Sequence, residues 1–455
     1  MTTYYVRKDG NNSNNGLTDS AGGAKLTIAA AYALTAAGDT VIVHTGTYAE
    51  NLTQNRAGSA GNLITIQAYT GETVSINKSI LSANYNVLDG FRVTAPGRYA
   101  DGSAGAYVSG NNCRVLRNTY VSTGTAGETG PCAMLSDGDD NIFSYNTVDG
   151  QNRGTNNGFA HIFYGEEGSN RAEVSYNTAK NIYNLGRGFE PYGFSHVFHH
   201  NECYGCSGTG AGTHVDMIQT YGVSGRQPGR YMLWYSNFFH DNSTQWVMCA
   251  DNPQQGGTEG VISHWVFINN IWANITNEGG FIKSTYFIFH NNTWYNVGQG
   301  PGYNFLLMTT DAEGWGYGGR FVNNLIATNT NQGVDMETPR TFDKNYWGNQ
   351  SFGTYNSGLG TEKLGTNYIN AGNPQFTSVA GLDFHIGSTS VCRGVGTNLA
   401  SWYAENVGTW PQLSNAAVLK DYDGNTRGAT WDIGAVGYNL SGATPPTGTI
   451  TLSVR

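Results

Sequence analysis

The sequence predicts an all-β chain that folds as a parallel solenoid, in which short strands stack in successive rungs. Three observations predict it: a short phrase centred on Asn recurs nine times, helical periodicity is nearly absent, and the 455 residues include 63 Gly and 49 Asn, which favour turns. The 28 Tyr, 19 Phe and 10 Trp supply a large core, which excludes a disordered chain. No apolar run approaches the roughly 20 residues of a membrane-spanning helix, which excludes a membrane protein.

The recurring phrase places β-favouring residues before an Asn and a second short apolar or aromatic run after it. Successive copies lie 21 to 36 residues apart, a loose period typical of rungs that share a core and carry loops of different length. We expect each Asn to occupy the left-handed backbone region at a sharp turn and to hydrogen-bond to the same amide on neighbouring rungs. The nine positions are Asn118, Asn146, Asn177, Asn201, Asn237, Asn270, Asn292, Asn324 and Asn345.

The two ends of such a stack are open sheet edges and need covers. Residues 25–37 form the one clear helical stretch, so residues 1–50 are interpreted as an N-terminal cap with the first strand. Residues 51–374 are predicted to form the rungs, with loop insertions. Residues 375–455 are predicted to form C-terminal rungs, a cap and a tail, with Trp431 and Ile433 covering the last rung.

Charge and targeting signals narrow the class of partner. The formal charge of −9 arises from 24 Lys and Arg against 33 Asp and Glu, with no basic stripe, so a nucleic-acid partner is not expected. The six cysteines are scattered, which argues against a disulfide framework. The N-terminal residues lack a signal-peptide pattern. We expect an extracellular or virion-associated protein, exported by another route or after removal of a leader, and a monomer rather than a trimer.

A family resemblance rests on three stretches of sequence. The opening AAYALTAAGDTVIVHTGTYAEN, the Asn phrases and the closing DYDGNTRG and DIGAVGY together resemble the right-handed parallel β-helix superfamily of pectate-lyase-like proteins, over about residues 4–438. The resemblance implies a right-handed β-helix that acts on a polysaccharide. It leaves polysaccharide lyases, glycoside hydrolases, uronan epimerases and phage tailspike depolymerases open, because this fold hosts all of them.

Candidate site residues lie in the strands that precede the Asn phrases. In HVDMI, a period of two places His214 and Asp216 on one face, while Val215 and Met217 face the core. These two ionisable groups then share a surface. The structural alternative is that His214 and Asp216 form a surface pair that only supports a turn.

Stacking of rungs predicts that further ionisable residues join them. His161, Glu190 and Asp216 are expected to form one column at about 5 Å spacing, with Asp251 and Lys283 two steps further along. The structural alternatives are a packed core histidine at His161, turn formation at Asp251 and a salt bridge at Lys283.

Other residues are interpreted as substrate-binding. Arg187 either contacts substrate or only braces Glu190. Aromatic rings stack on sugars or fill a β-helix interior, so Tyr164 and Trp246 have both interpretations, as does Tyr192. Gln219 completes the predicted substrate-binding set: Arg187, Tyr164, Tyr192, Gln219 and Trp246.

The leading functional hypothesis is cleavage of an acidic, uronate-containing polysaccharide by β-elimination. This chemistry neutralises a carboxylate and removes the proton at C5. Glu190, Asp216 and Asp251 are predicted to hold Ca²⁺, since hard cations favour oxygen ligands. The candidate bases are His214, His161 and Lys283.

Three alternatives stay open. The first is a glycoside hydrolase with Glu190 and Asp216 as its acid and base. The second is a uronan C5-epimerase, because GFEPYG at 188–193 is similar to the GFDPHE stretch of alginate epimerases, although Glu190 replaces the Asp and Tyr192 stands where that family has a catalytic His. The third is a non-catalytic phage tail protein or adhesin that binds glycans on a long rigid face.

Overall fold

The computed structural model of the chain is a right-handed parallel β-helix, which confirms the predicted fold class. It describes residues 1–94, 104–122, 131–151, 158–208, 215–222, 229–251, 262–276, 279–298, 306–307, 318–327, 334–335, 341–348 and 367–438. A complete rung contributes one strand to each of three walls, which we name A, B and C in the order in which the chain passes through them. Strands of neighbouring rungs pair in parallel within each wall.

Wall A is a 13-stranded sheet. Most of its strands immediately precede a ladder asparagine or an equivalent turn. In order they are Thr3–Val6, Thr40–Val43, Ile64–Ala68, Asn86–Asp89, Arg114–Leu116, Ile142–Ser144, Glu173–Ser175, Val197–His199, Leu233–Tyr235, Ser263–Ile268, Thr285–His290, Arg320–Val322 and Thr341–Asp343.

Walls B and C are the two halves of a 21-stranded sheet, joined because the long strands Gly46–Gln54 and Val74–Leu81 run through both. Wall B comprises Arg92–Val93, Thr119–Val121, Thr147–Asp149, Thr178–Lys180, Glu202–Tyr204, Phe238–Asn242, Ile271–Ile275, Thr293–Val297, Leu325–Ala327 and Tyr346–Trp347. Wall C comprises Ala106–Val108, Cys132–Ser136, His161–Gly165, Arg187–Pro191, Asp216–Gly222, Met248–Asp251, Gly280–Lys283, Leu306–Leu307 and Val334–Asp335. A short parallel pair, Gly158–Phe159 with Asn184–Leu185, lies beside the stack.

The nine repeated asparagines form a buried ladder between walls A and B, as predicted. Asn237 is typical: its backbone N–H and its side-chain amide donate to Oδ1 of Asn270 at 3.0 and 2.8 Å. Its second amide hydrogen reaches the carbonyl of Phe198, on the preceding rung, at 2.9 Å. Each ladder residue therefore satisfies its own polar atoms while it fixes the register of two neighbours.

The left-handed turn residue is the one before each ladder asparagine, which corrects the prediction that the asparagine itself adopts this conformation. Tyr145 and Ser236 show it with φ of 60° and 52°. The ladder asparagine directs its own N–H along the stack to the next amide, so the bend is made one residue earlier. The nine left-handed residues are Arg117, Tyr145, Tyr176, His200, Ser236, Asn269, Asn291, Asn323 and Lys344.

The interior of the stack is filled with apolar and aromatic side chains. Phe198 and Trp234 stack at 3.9 Å between ring centroids on neighbouring rungs of wall A. Val215 and Met217 are buried in this core, as the alternation in HVDMI predicted, and Ile218 is buried there too. The alternation of inward-facing and outward-facing side chains along the strand therefore ends at Met217.

The N-terminal helix is shorter than predicted: it spans Ile28–Tyr32 rather than 25–37. The Glu50 carboxylate accepts from the first two helical N–H groups at 3.0 and 2.9 Å, which fixes where the helix begins. The Thr35 hydroxyl donates to the last helical carbonyl, that of Tyr32, at 2.8 Å. The stack itself begins within residues 1–50, because this segment already supplies strands to wall A.

The C-terminal segment 367–438 packs along the side of the stack. Trp431 is buried with Leu233 and Val266 on the outer face of wall A, and Ile433 packs with Leu325 on the outside of wall B. The two residues are buried as predicted, but they cover the flank of several rungs, because the outward-facing residues of these late rungs are apolar. The segment contains the antiparallel pair Phe376–Ser378 and Asp383–Ile386, the helix Ala400–Asn406, and the 3-10 turns Pro411–Ser414 and Ala416–Leu419.

Within the residues that the structure describes, no helix is long and apolar enough to cross a membrane. The six cysteines are all buried, and no disulfide is formed between them. Cohesion of the stack therefore comes from the ladder, the strand pairings and the aromatic interior.

Candidate active site

Three neighbouring strands of wall C carry most of the predicted site residues: His161–Gly165, Arg187–Pro191 and Asp216–Gly222. Their register pairs the backbone of Glu190 with that of Tyr164, and the backbone of Arg187 with that of Asp216. Adjacent strands of a sheet lie about 4.8 Å apart. The structure therefore brings Glu190 and Asp216 to neighbouring strands of one wall. The predicted single column of His161, Glu190 and Asp216 is wrong, because Asp216 lies beside Arg187, whereas Glu190 lies three residues further along its strand, beside Tyr164.

The Glu190 carboxylate is completely buried and accepts hydrogen bonds from three side chains. His161 Nε2 lies 2.7 Å from Oε2, and the Tyr192 hydroxyl donates to Oε1 at 2.9 Å. Arg187 Nη1 lies 3.1 and 3.2 Å from the two carboxylate oxygens. A buried carboxylate is stable only when it is paired and hydrogen-bonded, and these three donors satisfy that need.

The same contacts keep Glu190 ionised. Burial by itself raises the pKa of a carboxyl group, but the hydrogen bond from His161 and the charges of His161 and Arg187 act against it and prevail. The pKa of Glu190 consequently lies below its ordinary value. Glu190 is an anion at neutral pH and therefore an acceptor, not a proton donor.

A second set of contacts connects Arg187 to Asp216. The Gln219 side-chain amide donates to Asp216 Oδ2 and to the Tyr221 hydroxyl oxygen, both at 2.6 Å. The Arg187 guanidinium lies over the Tyr221 ring, 5.4 Å from its centroid, in a cation–π contact. Glu190, Arg187, Tyr221, Gln219 and Asp216 thus form one connected polar cluster.

Exposure differs sharply across the cluster. The Arg187 side chain is 23% exposed, whereas those of Glu190 and His161 are 0% and 2% exposed. Tyr221 is also partly exposed, and Asp216 is buried. The cluster therefore presents a cation and a phenol at its surface and keeps its carboxylates behind them. Glu190 and His161 act by positioning Arg187.

The predicted aromatic residues separate into two groups. Tyr164 and Tyr192 pack beside the cluster, with the Tyr164 ring 5.0 Å from that of His161 and 5.8 Å from that of Tyr192. Trp246 instead lies in the interior, with its ring 5.2 Å from that of Trp272. Because a ring inside the stack cannot reach a polymer outside it, the prediction that Trp246 binds substrate is corrected.

Three predicted residues have positions that the structure leaves partly or wholly undescribed. His214 lies outside the described residues. The backbone of Asp251 pairs with that of Gly222, and the backbone of Lys283 pairs with that of Ala250; their side chains are not described. Since Ala250 pairs with Tyr221, Lys283 stands in the same column as Tyr221, two rungs further along.

The described residues do not fit the predicted Ca²⁺ site. Both Glu190 oxygens already accept hydrogen bonds, and a guanidinium lies 3.1 Å from one of them, where it would repel a cation. Asp216 is held by the Gln219 amide, and no group of three metal-ligating side chains comes together among the described residues. A cation is therefore not assigned to Glu190 and Asp216.

The sequence alone points to no chemical role for Tyr221. Its position near Arg187 follows from the register of neighbouring strands and from the side chain of Gln219, neither of which a single sequence displays. The signal available in the sequence was its place two residues after Gln219 on the strand that carries Asp216.

Comparison with known proteins identifies the fold. No family model and no curated protein sequence matches the chain. Among solved structures, XylC, determined in complex with xylose, is similar over 96% of this chain and 98% of its own, with 13% identity and a TM-score of 0.59. A rhamnogalacturonan lyase is similar over 84% of this chain and 92% of its own, with 15% identity and a TM-score of 0.50. At such low identity the likeness shows the fold alone, a right-handed parallel β-helix.

Proposed function

We propose that this protein is a carbohydrate-active enzyme that cleaves a uronate-containing polysaccharide by β-elimination at the Arg187 cluster. One observation carries the proposal: a partly exposed guanidinium is fixed in place by a buried, ionised carboxylate. Supporting it, the fold is shared with a rhamnogalacturonan lyase. A long parallel wall also suits an extended polymer, since successive rungs present equivalent positions along it.

Arg187 would neutralise the uronate carboxylate. A planar guanidinium forms two parallel hydrogen bonds to a carboxylate, which withdraws charge and makes the adjacent C5 proton easier to remove. Glu190 engages its Nη1 and so fixes the orientation of the planar guanidinium, which is partly exposed at the surface of wall C. In this role Arg187 stabilises the charge that develops on the carboxylate as the proton leaves C5.

Tyr221 would take the C5 proton. Its hydroxyl oxygen accepts a hydrogen bond from the Gln219 amide at 2.6 Å, and the Arg187 cation lies against its ring. Both contacts stabilise negative charge on the phenol oxygen, the form that acts as a base. As the proton moves to Tyr221, the C5 electron pair forms the C4–C5 double bond and the C4–O glycosidic bond breaks. The leaving oxygen then takes this proton from the Tyr221 hydroxyl and departs as an alcohol. Asp216 positions Gln219 and so acts through it.

The glycoside hydrolase alternative is favoured by the placement of two buried carboxyl groups, Glu190 and Asp216, on neighbouring strands. Hydrolysis needs one of its two carboxyl groups protonated. Because the pKa of Glu190 is lowered, Asp216 would have to be the acid. β-Elimination needs no such acid at this site and is the reaction we propose.

Location and assembly follow from the substrate. Uronate polymers occur outside the cell, and we therefore propose that the protein is extracellular or virion-associated. Both catalytic roles, those of Arg187 and Tyr221, fall to one chain, so we propose a monomer that needs no partner subunit and binds neither nucleic acid nor a membrane.

The test is incubation of the purified protein with alginate, pectate and glycosaminoglycans, following the ultraviolet absorbance of the unsaturated uronate. β-Elimination predicts new reducing ends accompanied by this absorbance. New reducing ends without absorbance would replace the lyase with the hydrolase. Binding to a polymer with no new ends would overturn the enzymatic proposal in favour of a glycan-binding protein.

A further inference from the structure

A cavity of about 710 Å³ lies between wall B and the C-terminal segment, away from the Arg187 cluster. Wall B contributes Glu202, Phe238 and His240, and the C-terminal segment contributes Phe384 and Asp423. Its volume falls within the range of about 300–1,000 Å³ that is usual for small-molecule sites.

One side of the cavity is built around His385. Its Nδ1 lies 2.6 Å from Asp383 Oδ1, and its Nε2 lies 2.7 Å from Asp423 Oδ2. Because both ring nitrogens face carboxylate oxygens, both carry protons, and the imidazolium locks the two carboxylates in place. The hydrogen bond that His385 donates to Asp423 is the largest cause that raises the pKa of His385 to about 9.

After this contact, the second carboxylate oxygen of Asp423 can still accept a hydrogen bond. Its side chain is only 5% exposed, and its other oxygen, Oδ1, is buried without a hydrogen-bond partner in the part of the chain described here. A buried carboxylate oxygen without a donor costs free energy. A donor that enters the cavity would supply the missing hydrogen bond.

On the wall B side of the cavity, a second histidine lies between two carboxylates. His240 places Nδ1 2.8 Å from Asp241 and Nε2 3.3 Å from Glu202, and the Glu202 side chain is 45% exposed. Phe238 and Phe384 add aromatic rings to the lining. Fixed carboxylates beside aromatic faces are the groups that bind sugar hydroxyls and the apolar face of a sugar ring.

We propose that this cavity is a second carbohydrate site, which binds a neutral saccharide unit through Asp423 and Glu202 and does not take part in cleavage. The lining carboxylates are Glu202, Asp383 and Asp423, and the facing imidazoliums are His240 and His385, so three negative charges face two positive ones. A uronate carboxylate would meet an excess of negative charge. A hydroxyl group brings the donor that Asp423 Oδ1 lacks and adds no charge.

The experiment is a binding titration of the full chain with D-xylose, D-glucose and D-galactose, followed by saturation-transfer NMR and calorimetry, with galacturonate and glucosamine as charged comparators. At least one neutral sugar is expected to bind, and galacturonate at least about tenfold more weakly. The Asp423→Asn and Glu202→Gln variants are each expected to weaken binding about tenfold, because each loses a charged acceptor. The variant Asp19→Asn, distant from the cavity lining, serves as the control.

Several outcomes would overturn the proposal. No neutral sugar binds at millimolar concentration, or galacturonate binds best, or both variants bind like the wild type. Since Asp423→Asn disturbs the His385 contact, Glu202→Gln carries the test if Asp423→Asn fails to fold. The titration measures binding only, so its result is independent of whether the Arg187 cluster cleaves a polymer.

Discussion

At the scale of single residues, the candidate site depends on one buried anion. Glu190 accepts from His161, Arg187 and Tyr192, and these contacts turn a flexible arginine into a fixed cation at the surface of wall C. Replacing any one of these four residues therefore changes the hydrogen bonds that the other three can make.

Glu190→Gln is expected to lower the free energy of unfolding by about 3 kcal/mol, because it leaves the Arg187 charge without its buried partner. Tyr192→Phe removes one donor of the carboxylate and is expected to cost about 1 kcal/mol. Urea unfolding of both variants measures the difference. Equal stability of Glu190→Gln and wild type would show that the buried ion pair does not stabilise the fold.

His385 gives the molecule a pH-dependent contact. Its hydrogen bonds to Asp423 and Asp383 raise its pKa from 6.5 to about 9, so the imidazolium stabilises the folded state fully below pH 6.5 and progressively less as the pH rises through 9. The stability difference between wild type and His385→Gln is expected to shrink over this interval, as thermal unfolding at several pH values would show.

His200 is the matched control for this experiment. Burial lowers its pKa to about 4, so it is neutral in both the folded and the unfolded state above pH 6.5. The effect of His200→Gln should therefore be constant between pH 6.5 and 9. A His385→Gln difference that is equally flat would contradict the charged pairing described here.

At the scale of elements, the asparagine ladder links every rung from Asn118 to Asn345. An interior member receives two hydrogen bonds from one neighbour and gives two to the next, as Asn237 does between Asn201 and Asn270. Asn345 is the last ladder member among the residues that the structure describes, and within them it donates to no further asparagine. The ladder position thus sets how many buried groups a substitution leaves unsatisfied.

Asn237→Ala is expected to destabilise the protein by about 3 kcal/mol, because the amides of Asn201, the carbonyl of Phe198 and the Oδ1 of Asn270 all lose buried partners. Asn345→Ala should cost less, since fewer neighbours lose a partner. Calorimetric unfolding of both variants provides the comparison. A larger cost at Asn345 than at Asn237 would contradict the view that the ladder acts as a continuous element.

At the scale of the whole molecule, the C-terminal segment 367–438 is a side cover. Trp410 and Trp431 pack on Leu233 and Val266 of wall A, and backbone carbonyls of the segment accept from Asn269 and from other turn residues between walls A and B. It encloses the apolar flank and forms one side of the second cavity. Its removal changes the surface of several rungs at once.

A chain truncated after residue 374 is expected to expose this flank and to associate, eluting early in gel filtration and binding a hydrophobic dye strongly. A chain truncated after residue 438 retains every contact described here and is the control. Monomeric behaviour of the shorter chain, with no increase in dye binding, would show that the flank needs no cover.

How far the sequence predicted the molecule depends on the kind of residue. The ladder positions repeat the same amino acid, so the stack and the convergence of His161 with Glu190 could be predicted. The left-handed turn residues are of six different types, so no single sequence pattern marks them. Trp246 was misassigned because the residue type alone does not show whether the side chain of a tryptophan faces into the stack or out of it. The Ca²⁺ prediction failed at Glu190 because sequence does not show which donors already occupy a carboxylate.

The central claim is that Arg187 neutralises the uronate carboxylate, and the most direct test compares a free-acid uronate polymer with its methyl ester. The rate of unsaturated product formation by Arg187→Ala is expected to fall about 100- to 1,000-fold on the free acid and less than about tenfold on the ester, which has no charge to neutralise. Arg171→Ala, which removes an exposed arginine paired with Asp140, should match wild type on both. An equal loss on the two polymers, or no loss on the free acid, would contradict the claim.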